Sequence, residues 1–525
     1  MLHSIECFFV LLQGMEDVYS LIQSLNSAEK RVVQSYFSCF SSRNETKPLY
    51  LKLFLYLQGC KQAPSDEEVS SFIYDKAVNP TYRSFKSRFK DKLLEAINLD
   101  MNIERSESLD DINYIVVNLR KKLSQFYQLY HTKGNHPLAI DLLNSIIKKS
   151  SQYEIYSILS ECLSFKKSLR GFIKGLNDFN ELNKQIGEVD YCNIAALKAI
   201  DYYYQITMWE KFHPNESKQK KSRFLQNCIV ELKKDYTYTQ SAIVNYYLKQ
   251  LEIFYFDIES EYAAAKSAAA EMFETLKSSK AVYRRQRIGF TLGNIAHYDI
   301  YLGNYDKAVE QLREAQTYFP PFSNNYYVSK EQEFFARFYD GNLHEAQKVS
   351  KALSNAMKET HGDFRLAQYR YYYACVLFSQ KNYKAALKQL AQQFEISKDK
   401  TGWDIGIRLL TLMCRVELQH YDQAEILTEN LRKHVEKFGV DDGIRLRDKL
   451  IMRALHTYAR NGFSKTNLPE SVYNTIDLLS GNEKEYKWLH FSPELIPMHQ
   501  WLAKKLGKEI KVFSREGAKR ESVIS

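Results

Sequence analysis

Apolar residues recur at helical spacing in paired segments that are separated by a short polar turn. Residues 288–302 (IGFTLGNIAHYDIYL) carry an apolar side chain at nearly every third or fourth position, until Gly303 interrupts the pattern. Residues 305–318 (YDKAVEQLREAQTY) resume it. The apolar face of this second segment consists of Tyr305, Ala308, Leu312 and Ala315. The pattern predicts two helices joined by a tight turn, in which Gly supplies the left-handed backbone that ends the first helix.

The turn and the start of the second segment recur along the chain. The motifs SEYAAA, GNYDKA, GNLHEA, KNYKAA and QHYDQA end at Ala265, Ala308, Ala346, Ala386 and Ala424, which lie 38 to 43 residues apart. A similar motif, GNHPLA, ends at Ala139. Repetition at such a period is typical of stacked helical repeats, in which each pair buries its apolar faces against its neighbours.

These units resemble the tetratricopeptide (TPR) repeat. One copy fits the pattern of that family at Ala296, Gly303, Tyr305, Ala308, Leu312, Ala315 and Pro320, and another fits at Ala374, Tyr383, Ala386 and Leu390. The resemblance covers about 250–435 clearly and 110–250 thinly. The chain departs from the family in its longer period, and Ile253, Phe334 and Leu412 replace the small residue of the first helix. The resemblance implies an all-α fold, a right-handed superhelical α-solenoid of stacked antiparallel helix pairs.

The pattern changes toward both ends and predicts four regions. Residues 1–105 form an N-terminal helical region, which is similar to one in uncharacterised bacterial TPR proteins and implies no known activity. Residues 106–440 form the repeat array. Residues 441–513 supply capping helices, with Trp488 and Trp501 as anchors, and 514–525 form a disordered tail. Asn26 and Glu29 predict a capping box at the start of an N-terminal helix.

Composition narrows the class of protein further. Only 10 Pro and 19 Gly occur in 525 residues, which favours long helices. The eight Cys form no CxxC pair, so we interpret them as buried free thiols of a cytoplasmic protein. No apolar stretch approaches the length of a membrane span, and we expect no membrane partner. The sequence leaves open whether Met1 or Met15 is the true start, and an amphipathic helix is expected just after Met15.

No catalytic or cofactor motif is present, so we predict neither enzymatic activity nor a cofactor nor a metal site. The family resemblance implies instead a peptide-binding groove, formed by the first helices of successive repeats. The positions that match are Phe290, His297, Tyr301, Glu331, Phe335, Tyr339, Gln368, Tyr371 and Phe378. Family members that clamp a carboxylate tail use Asn and Lys where this chain has Gly293, His297, Tyr371 and Cys375, which argues against that particular ligand.

Two basic clusters predict alternative contacts. Arg284, Arg285 and Arg287 lie beside aromatic residues and are candidate anion contacts, although such a run is more often the solvated start of a helix. In the N-terminal region, two helices within 66–97 suggest a helix-turn-helix, with Asn79 as the N-cap of the second. Its candidate DNA contacts are Arg83, Lys86 and Lys90. The net charge over 15–100 is only +1, which disfavours nucleic acid as a partner without settling the question.

The sequence therefore leads to two functional hypotheses. The first is a non-catalytic scaffold or adaptor that binds a protein or peptide segment in its inner groove. The alternative is a transcriptional regulator with a DNA-binding region at 66–97 and a sensing repeat array. The identity of the ligand and the oligomeric state are open on either hypothesis.

Overall fold

The computed structural model describes residues 15–40, 48–99, 112–213, 216–357, 363–391, 399–438, 443–481, 483 and 485–510. Throughout these residues the regular elements are helices, and no strand occurs among them. The chain divides into two compact units. The first comprises 1–186 and 207–214, and the second comprises 187–206 and 215–525.

The first unit contains two groups of helices. Its helices are α1 (Met15–Ser24), α2 (Ser27–Ser38), α3 (Leu49–Gly59), α4 (Asp66–Tyr74), α5 (Pro80–Leu99), α6 (Ile112–Tyr127), α7 (His136–Gln152) and α8 (Tyr156–Lys174), and the long α9 (Leu176–Phe212) contributes to both units. Helices α1 to α5 enclose an aromatic core in which Phe37, Phe54 and Phe89 are fully buried. A second core, centred on Phe126, joins α6, α7 and α8.

Two helix caps predicted in the first unit are confirmed. Asn26 accepts hydrogen bonds from the backbone of Ala28 and Glu29, and the Glu29 carboxylate accepts one from the Asn26 N–H, which completes the capping box. At the start of α5, the Asn79 side chain accepts a 2.9 Å bond from the Tyr82 N–H.

The second unit is a tetratricopeptide-like array of stacked antiparallel helix pairs, as the sequence predicts. Each helix packs on the next one along the chain. The elements are α10 (Lys218–Thr239), α11 (Ala242–Glu259), α12 (Tyr262–Ser278), α13 (Arg285–Tyr301), α14 (Tyr305–Thr317), α15 (Asn324–Tyr339), α16 (Leu343–Met357), α17 (Asp363–Ser379), α18 (Tyr383–Leu390), α19 (Trp403–Glu417), α20 (Tyr421–Lys437), α21 (Leu446–Arg460), α22 (Glu470–Ser480) and α23 (Met498–Leu506).

The repeated motif marks one structural position, the turn between the two helices of a pair. Its first residue has a positive φ in every copy, whether it is Gly or not: Gly134 (64°), Ser260 (62°), Gly303 (76°), Gly341 (81°), Lys381 (62°) and Gln419 (60°). The backbone N–H of the next residue bonds back to the preceding helix, as in the 2.8 Å bond from Asn304 to the Asp299 carbonyl. This left-handed cap satisfies carbonyl groups at the end of the helix and reverses the chain.

The Ala that ends each motif is small because the neighbouring helix crosses close to it. Solvent reaches none of its surface in any copy, from Ala139 through Ala265, Ala308, Ala346 and Ala386 to Ala424. A larger side chain at this place would separate the paired helices, since protein interiors have few voids.

The interpretation of the cysteines needs a correction. Cys162, Cys228, Cys375 and Cys414 are buried, but Cys39 is exposed, and Cys60 and Cys192 are only partly buried. All seven are free thiols, and Cys7 lies outside the described residues. Cys39 is exposed because it is the C-cap that follows α2, beyond Phe37, the last buried residue of that helix.

Candidate functional site

The predicted groove residues lie on the first helices of three successive pairs, α13, α15 and α17. Five of the nine meet one segment of the same chain, residues 485–497, which we call the strap. The strap has no helical structure and connects α22 to α23. The five groove residues that contact it are His297, Tyr301, Phe335, Tyr339 and Tyr371.

Aromatic rings form the centre of the contact. The His297 imidazole stacks on Phe491, with ring centroids 4.5 Å apart and planes at 14°. The Phe335 ring meets the same side chain edge-on at 4.9 Å. Tyr339 makes edge contacts with Trp488 at 5.4 Å and His490 at 5.0 Å. Such geometries are those that aromatic pairs prefer, and each adds to the stabilisation that comes from burying apolar surface.

Tyrosine hydroxyls from the groove bind the backbone of the strap. The Tyr371 hydroxyl donates a 2.6 Å hydrogen bond to the Pro493 carbonyl. The Tyr339 hydroxyl accepts a 3.4 Å bond from the Phe491 N–H, and the Tyr301 hydroxyl lies 3.5 Å from the His490 carbonyl. The groove thus contacts both the rings and the main chain of the strap. Contacts of these two kinds are those by which proteins bind extended peptides.

A buried ion pair fixes the C-terminal end of the strap. The guanidinium of Arg447 on α21 donates two hydrogen bonds, of 2.7 and 2.9 Å, to the Glu494 carboxylate. Arg447 also donates to the backbone carbonyls of Leu479 and Tyr486. Both charged side chains are almost completely buried and need compensation, and Arg445 supplies a second cation 3.8 Å from the Glu494 carboxylate.

Glu494 organises the strap locally as well. Its carboxylate accepts a 2.8 Å bond from the Met498 N–H, at the start of α23, and its carbonyl accepts one of the same length from the Trp488 indole. Burial by itself would raise the pKa of Glu494, but the hydrogen bonds and charge of Arg447, the charge of Arg445 and the bond from the Met498 N–H together lower the pKa below the ordinary value.

Burial also changes the titration of the groove. It lowers the pKa of His297 to about 4 and that of His490 to about 4, so both imidazoles are neutral at pH 7. Burial raises the pKa of Tyr339 and of Tyr371 well above the ordinary value, which keeps both hydroxyls protonated. The contact is therefore a neutral, aromatic surface with hydroxyl groups for the backbone.

The strap lies close to the groove at Gly406 on α19. A Cβ atom at this position would be 2.5 Å from the Pro493 carbonyl oxygen and 3.0 Å from the Tyr371 hydroxyl. Any larger residue would push the strap outward, so Gly406 allows the close approach of the two segments.

The other four predicted groove residues have different surroundings. Glu331 accepts a 2.6 Å hydrogen bond from the Tyr372 hydroxyl, and burial raises its pKa. Phe378 is buried and packs on Tyr383, with ring centroids 5.2 Å apart. Phe290 packs against the core formed by α11 to α14, and Gln368 is partly buried on α17. Glu331 and Phe378 thus contact side chains of the array itself.

The candidate anion contacts include side chains that already take part in the fold. Arg285 donates a 2.6 Å bond to the Thr317 carbonyl and lies over the Tyr318 ring. Arg287 lies 4.5 Å from the centre of the Tyr246 ring and donates to the Val282 carbonyl. Arg284, at the start of α13, is partly buried.

The candidate DNA contacts on α5 divide into two groups. Lys86 forms a 2.8 Å ion pair with Asp66, whose carboxylate also accepts a bond from Tyr82. Arg83 and Lys90 are exposed. One of the three cations thus already has an acidic partner within the helical bundle.

A cavity of about 620 Å³ lies in the first unit, where α6 ends in a π-helical turn (Gln128–Thr132). Arg120, Tyr127, His131 and Glu161 are among its lining residues, and the Tyr127 hydroxyl donates to Glu161. The lining carries charges of both signs and does not favour one class of ligand.

Sequence reasoning did not predict the strap as part of the site. Trp488 was predicted only as an anchor of a terminal cap. The available signal was the cluster WLHFSPEL at 488–495, in which three rings, a Pro and a Glu lie together without helical periodicity. Such a cluster beside a helical array indicates a segment that packs on the array.

Two searches for specific chemistry concern the described part of the chain only. Within it, no three His, Cys, Asp or Glu side chains lie close enough together to hold a metal ion. None of its helices combines the length and the apolar character that a membrane crossing requires.

Comparisons with known proteins give structural matches alone. No protein-family model matches the sequence, and the search of curated proteins finds no match. Among 22 matching solved chains, the apo form of RapI has a TM-score of 0.40 at 13% identity, over 69% of this chain and 86% of RapI.

A second match is a signal transduction ATPase with numerous domains (STAND) from Pyrococcus horikoshii that has a tetratricopeptide repeat sensor. Its TM-score is 0.29 at 14% identity, over 87% of this chain and 63% of that protein. At these scores the superpositions carry no argument, and the fold assignment rests on the helix pairs themselves.

Proposed function

We propose that this protein is a non-catalytic interaction scaffold whose aromatic groove on α13, α15 and α17 binds an extended segment of a protein. The observation that carries the proposal is the convergence of His297, Tyr301, Phe335, Tyr339 and Tyr371 on a single non-helical segment. These residues come from three repeats, and they bind both rings and backbone groups.

The chemistry of the groove supports binding rather than catalysis. Where the strap meets the groove, the titratable side chains include the neutral imidazoles of His297 and His490 and the protonated phenols of Tyr339 and Tyr371, because burial moves the pKa of each away from neutral pH. A general acid or base works best when its pKa lies near the working pH, which these groups do not satisfy. Hydroxyl donors and aromatic faces instead suit an uncharged peptide backbone with apolar side chains.

The experiment is a selection from a displayed library of random 12-residue peptides against the full chain. The bait is the Gly406→Ala variant, which should displace the strap, and the control is the same variant with Tyr339→Phe and Tyr371→Phe. We expect peptides with spaced aromatic residues to be enriched, and to bind at least about tenfold more weakly to the control. Equal recovery from both baits would contradict the proposal.

The helix-turn-helix alternative stays a prediction. A mobility-shift titration of the full chain on duplex DNA, at increasing salt, tests it. If the Arg83→Gln, Lys90→Gln double variant binds as the wild type does, the alternative is wrong, because phosphate contacts of these cations must lower affinity and the salt dependence when removed.

A further inference from the structure

The strap contacts its surroundings through aromatic rings, backbone carbonyl groups and one carboxylate. Its rings, Trp488, His490 and Phe491, meet the groove rings, and its carbonyl groups receive tyrosine hydroxyls. Three residues after the last ring, Glu494 brings a carboxylate to Arg447. The order along the strap is therefore ring, any residue, ring, ring, two further residues and a carboxylate.

Building on the proposed function, we infer that the strap is the resident ligand of the groove and that the partner segment has the same chemistry. The partner is an extended segment with spaced aromatic rings like those of the strap, while Arg447 stays paired with Glu494. It binds only where it displaces the rings of the strap. The strap of the same chain thus occupies the groove until such a segment displaces it.

The covalent connection makes the strap a strong competitor. It is tethered at both ends, to α22 and to α23, so its effective concentration at the groove is high. An untethered segment of equal intrinsic affinity competes only when its concentration in solution reaches the effective concentration of the strap. Weak binding to the wild-type chain and stronger binding to a strap-disrupted chain follow from this arrangement.

The strap consists of two parts that differ in how firmly they are held. Glu494 and Leu495 are buried, whereas Leu489 is 40% exposed and its neighbours Trp488 and His490 are only partly buried. The ring-bearing part can therefore lift from the groove while the Arg447–Glu494 pair holds the C-terminal part in place.

The backbone at the centre of the ring-bearing part is strained. Phe491 has φ of +60°, in the left-handed region that bulky residues rarely adopt. Such a conformation persists when surrounding contacts enforce it, and it favours release once those contacts are lost. The ring stack with His297 and the hydrogen bond from the Phe491 N–H to Tyr339 are the enforcing contacts.

The test measures binding of a labelled peptide with the sequence of residues 486–497, YKWLHFSPELIP, to the full chain by fluorescence anisotropy. The proteins are the wild type and the Trp488→Ala, Phe491→Ala double variant, which lacks the competing rings. A scrambled peptide of the same composition is the control. We expect the double variant to bind the native-order peptide at least about tenfold more tightly than the wild type does, because the tethered competitor has lost its rings.

Hydrogen exchange over residues 485–497 provides the second measurement, because the double variant could lose binding through a folding defect. The Gly406→Ala variant keeps every ring and displaces the strap sterically, so it should also bind the peptide more tightly. Both variants should exchange faster within 487–492 than the wild type, while exchange in α13 and α15 stays slow.

Each result separates the inference from the function on which it rests. Equal, tight binding by wild type and both variants would overturn the inference and leave the groove as a peptide site. Slow exchange in the strap of both variants would overturn it as well, since the strap would then be a fixed part of the fold. Fast exchange without peptide binding to either variant would overturn the proposed function.

Discussion

The imidazole of His297 lies face to face with the ring of Phe491, 4.5 Å away between centroids. His297 belongs to the first helix of a repeat, and Phe491 belongs to the strap near the end of the described chain. This pair shows that a surface predicted to hold a peptide already holds one of the chain's own segments.

Removing the Phe491 ring should destabilise the strap. Phe491→Ala should lower the free energy of unfolding by about 1–3 kcal/mol, because a partly buried ring is lost from three aromatic neighbours in the groove, His297, Tyr301 and Phe335. Urea denaturation followed by circular dichroism measures the change. Phe322→Ala is the matched control, since Phe322 has a similar φ of +65° but is 72% exposed. Equal losses for the two variants would assign the effect to the backbone conformation and not to the ring stack.

The hydroxyl of Tyr371 should contribute to stability through the Pro493 carbonyl. Tyr371→Phe keeps the ring but removes the donor of a 2.6 Å hydrogen bond, leaving a carbonyl without this partner. We expect a loss of about 1–2 kcal/mol in the free energy of unfolding. Tyr421→Phe, at an exposed ring, should change it by less than about 0.5 kcal/mol. An unchanged unfolding midpoint for Tyr371→Phe would show that water replaces the bond without loss.

A methyl group at Gly406 should act against the strap and against the Tyr371 hydroxyl that binds it. Gly406→Ala places Cβ within 2.5 Å of the Pro493 carbonyl, whereas Gly293→Ala meets only the Gln332 side chain at 3.8 Å. Both glycines lie inside helices, where Ala is favoured by about 1 kcal/mol. We therefore expect Gly293→Ala to raise the melting temperature and Gly406→Ala to lower it. A higher melting temperature for both variants would mean that the strap moves aside without loss of stability.

The buried pair of Arg447 and Glu494 should show strong coupling. Arg447→Met removes both hydrogen bonds to the buried Glu494, leaves only Arg445 at 3.8 Å as its cation, and should cost about 3–5 kcal/mol. Adding Glu494→Gln removes the poorly compensated charge and should restore part of the loss. A double-mutant cycle, measured by chemical denaturation, gives the coupling energy. Additive effects would indicate that solvent reaches the pair.

Acid should loosen the strap before it unfolds the array. His297 and His490 have pKa values lowered to about 4 by burial, and an unfolded His titrates near 6.5. Since the unfolded state binds more protons below pH 6.5, the stability these residues contribute is present above that pH. This stability is lost as the pH falls from 6.5 toward 4. Each His contributes about 1.4 kcal/mol for each unit by which its pKa in the folded state lies below its pKa in the unfolded state.

Hydrogen exchange in the strap, measured between pH 7 and 4 and corrected for the intrinsic rate, checks this effect. Lys487 and His297 both lower the pKa of His490, and the phenols of Tyr298, Tyr301 and Tyr339 that face the two imidazoles remain neutral in this range. The His297→Gln, His490→Gln variant should lose most of the pH dependence. A dependence that survives in this variant would point to the carboxylates instead.

Part of the candidate site could be predicted from the sequence because helical periodicity fixes the direction of side chains. Once the pairs are placed, His297, Tyr301 and Tyr371 must lie on first helices, and repetition brings these helices side by side. Phe378 and Glu331 show the limit of this reasoning. The same alignment selected them, yet they pack against Tyr383 and Tyr372.

The sequence by itself determined the helix pairs, the left-handed turn at Gly303 and its equivalents, and the small Ala that each crossing requires. These features depend on neighbours within a few residues or on the next repeat. The residue types that produce them therefore recur at regular intervals in the sequence. The tertiary structure alone decided that Phe491 covers His297 and that Glu494 meets Arg447. The strap has no period of its own, and contacts between segments so distant in the chain depend on how the whole array brings them together.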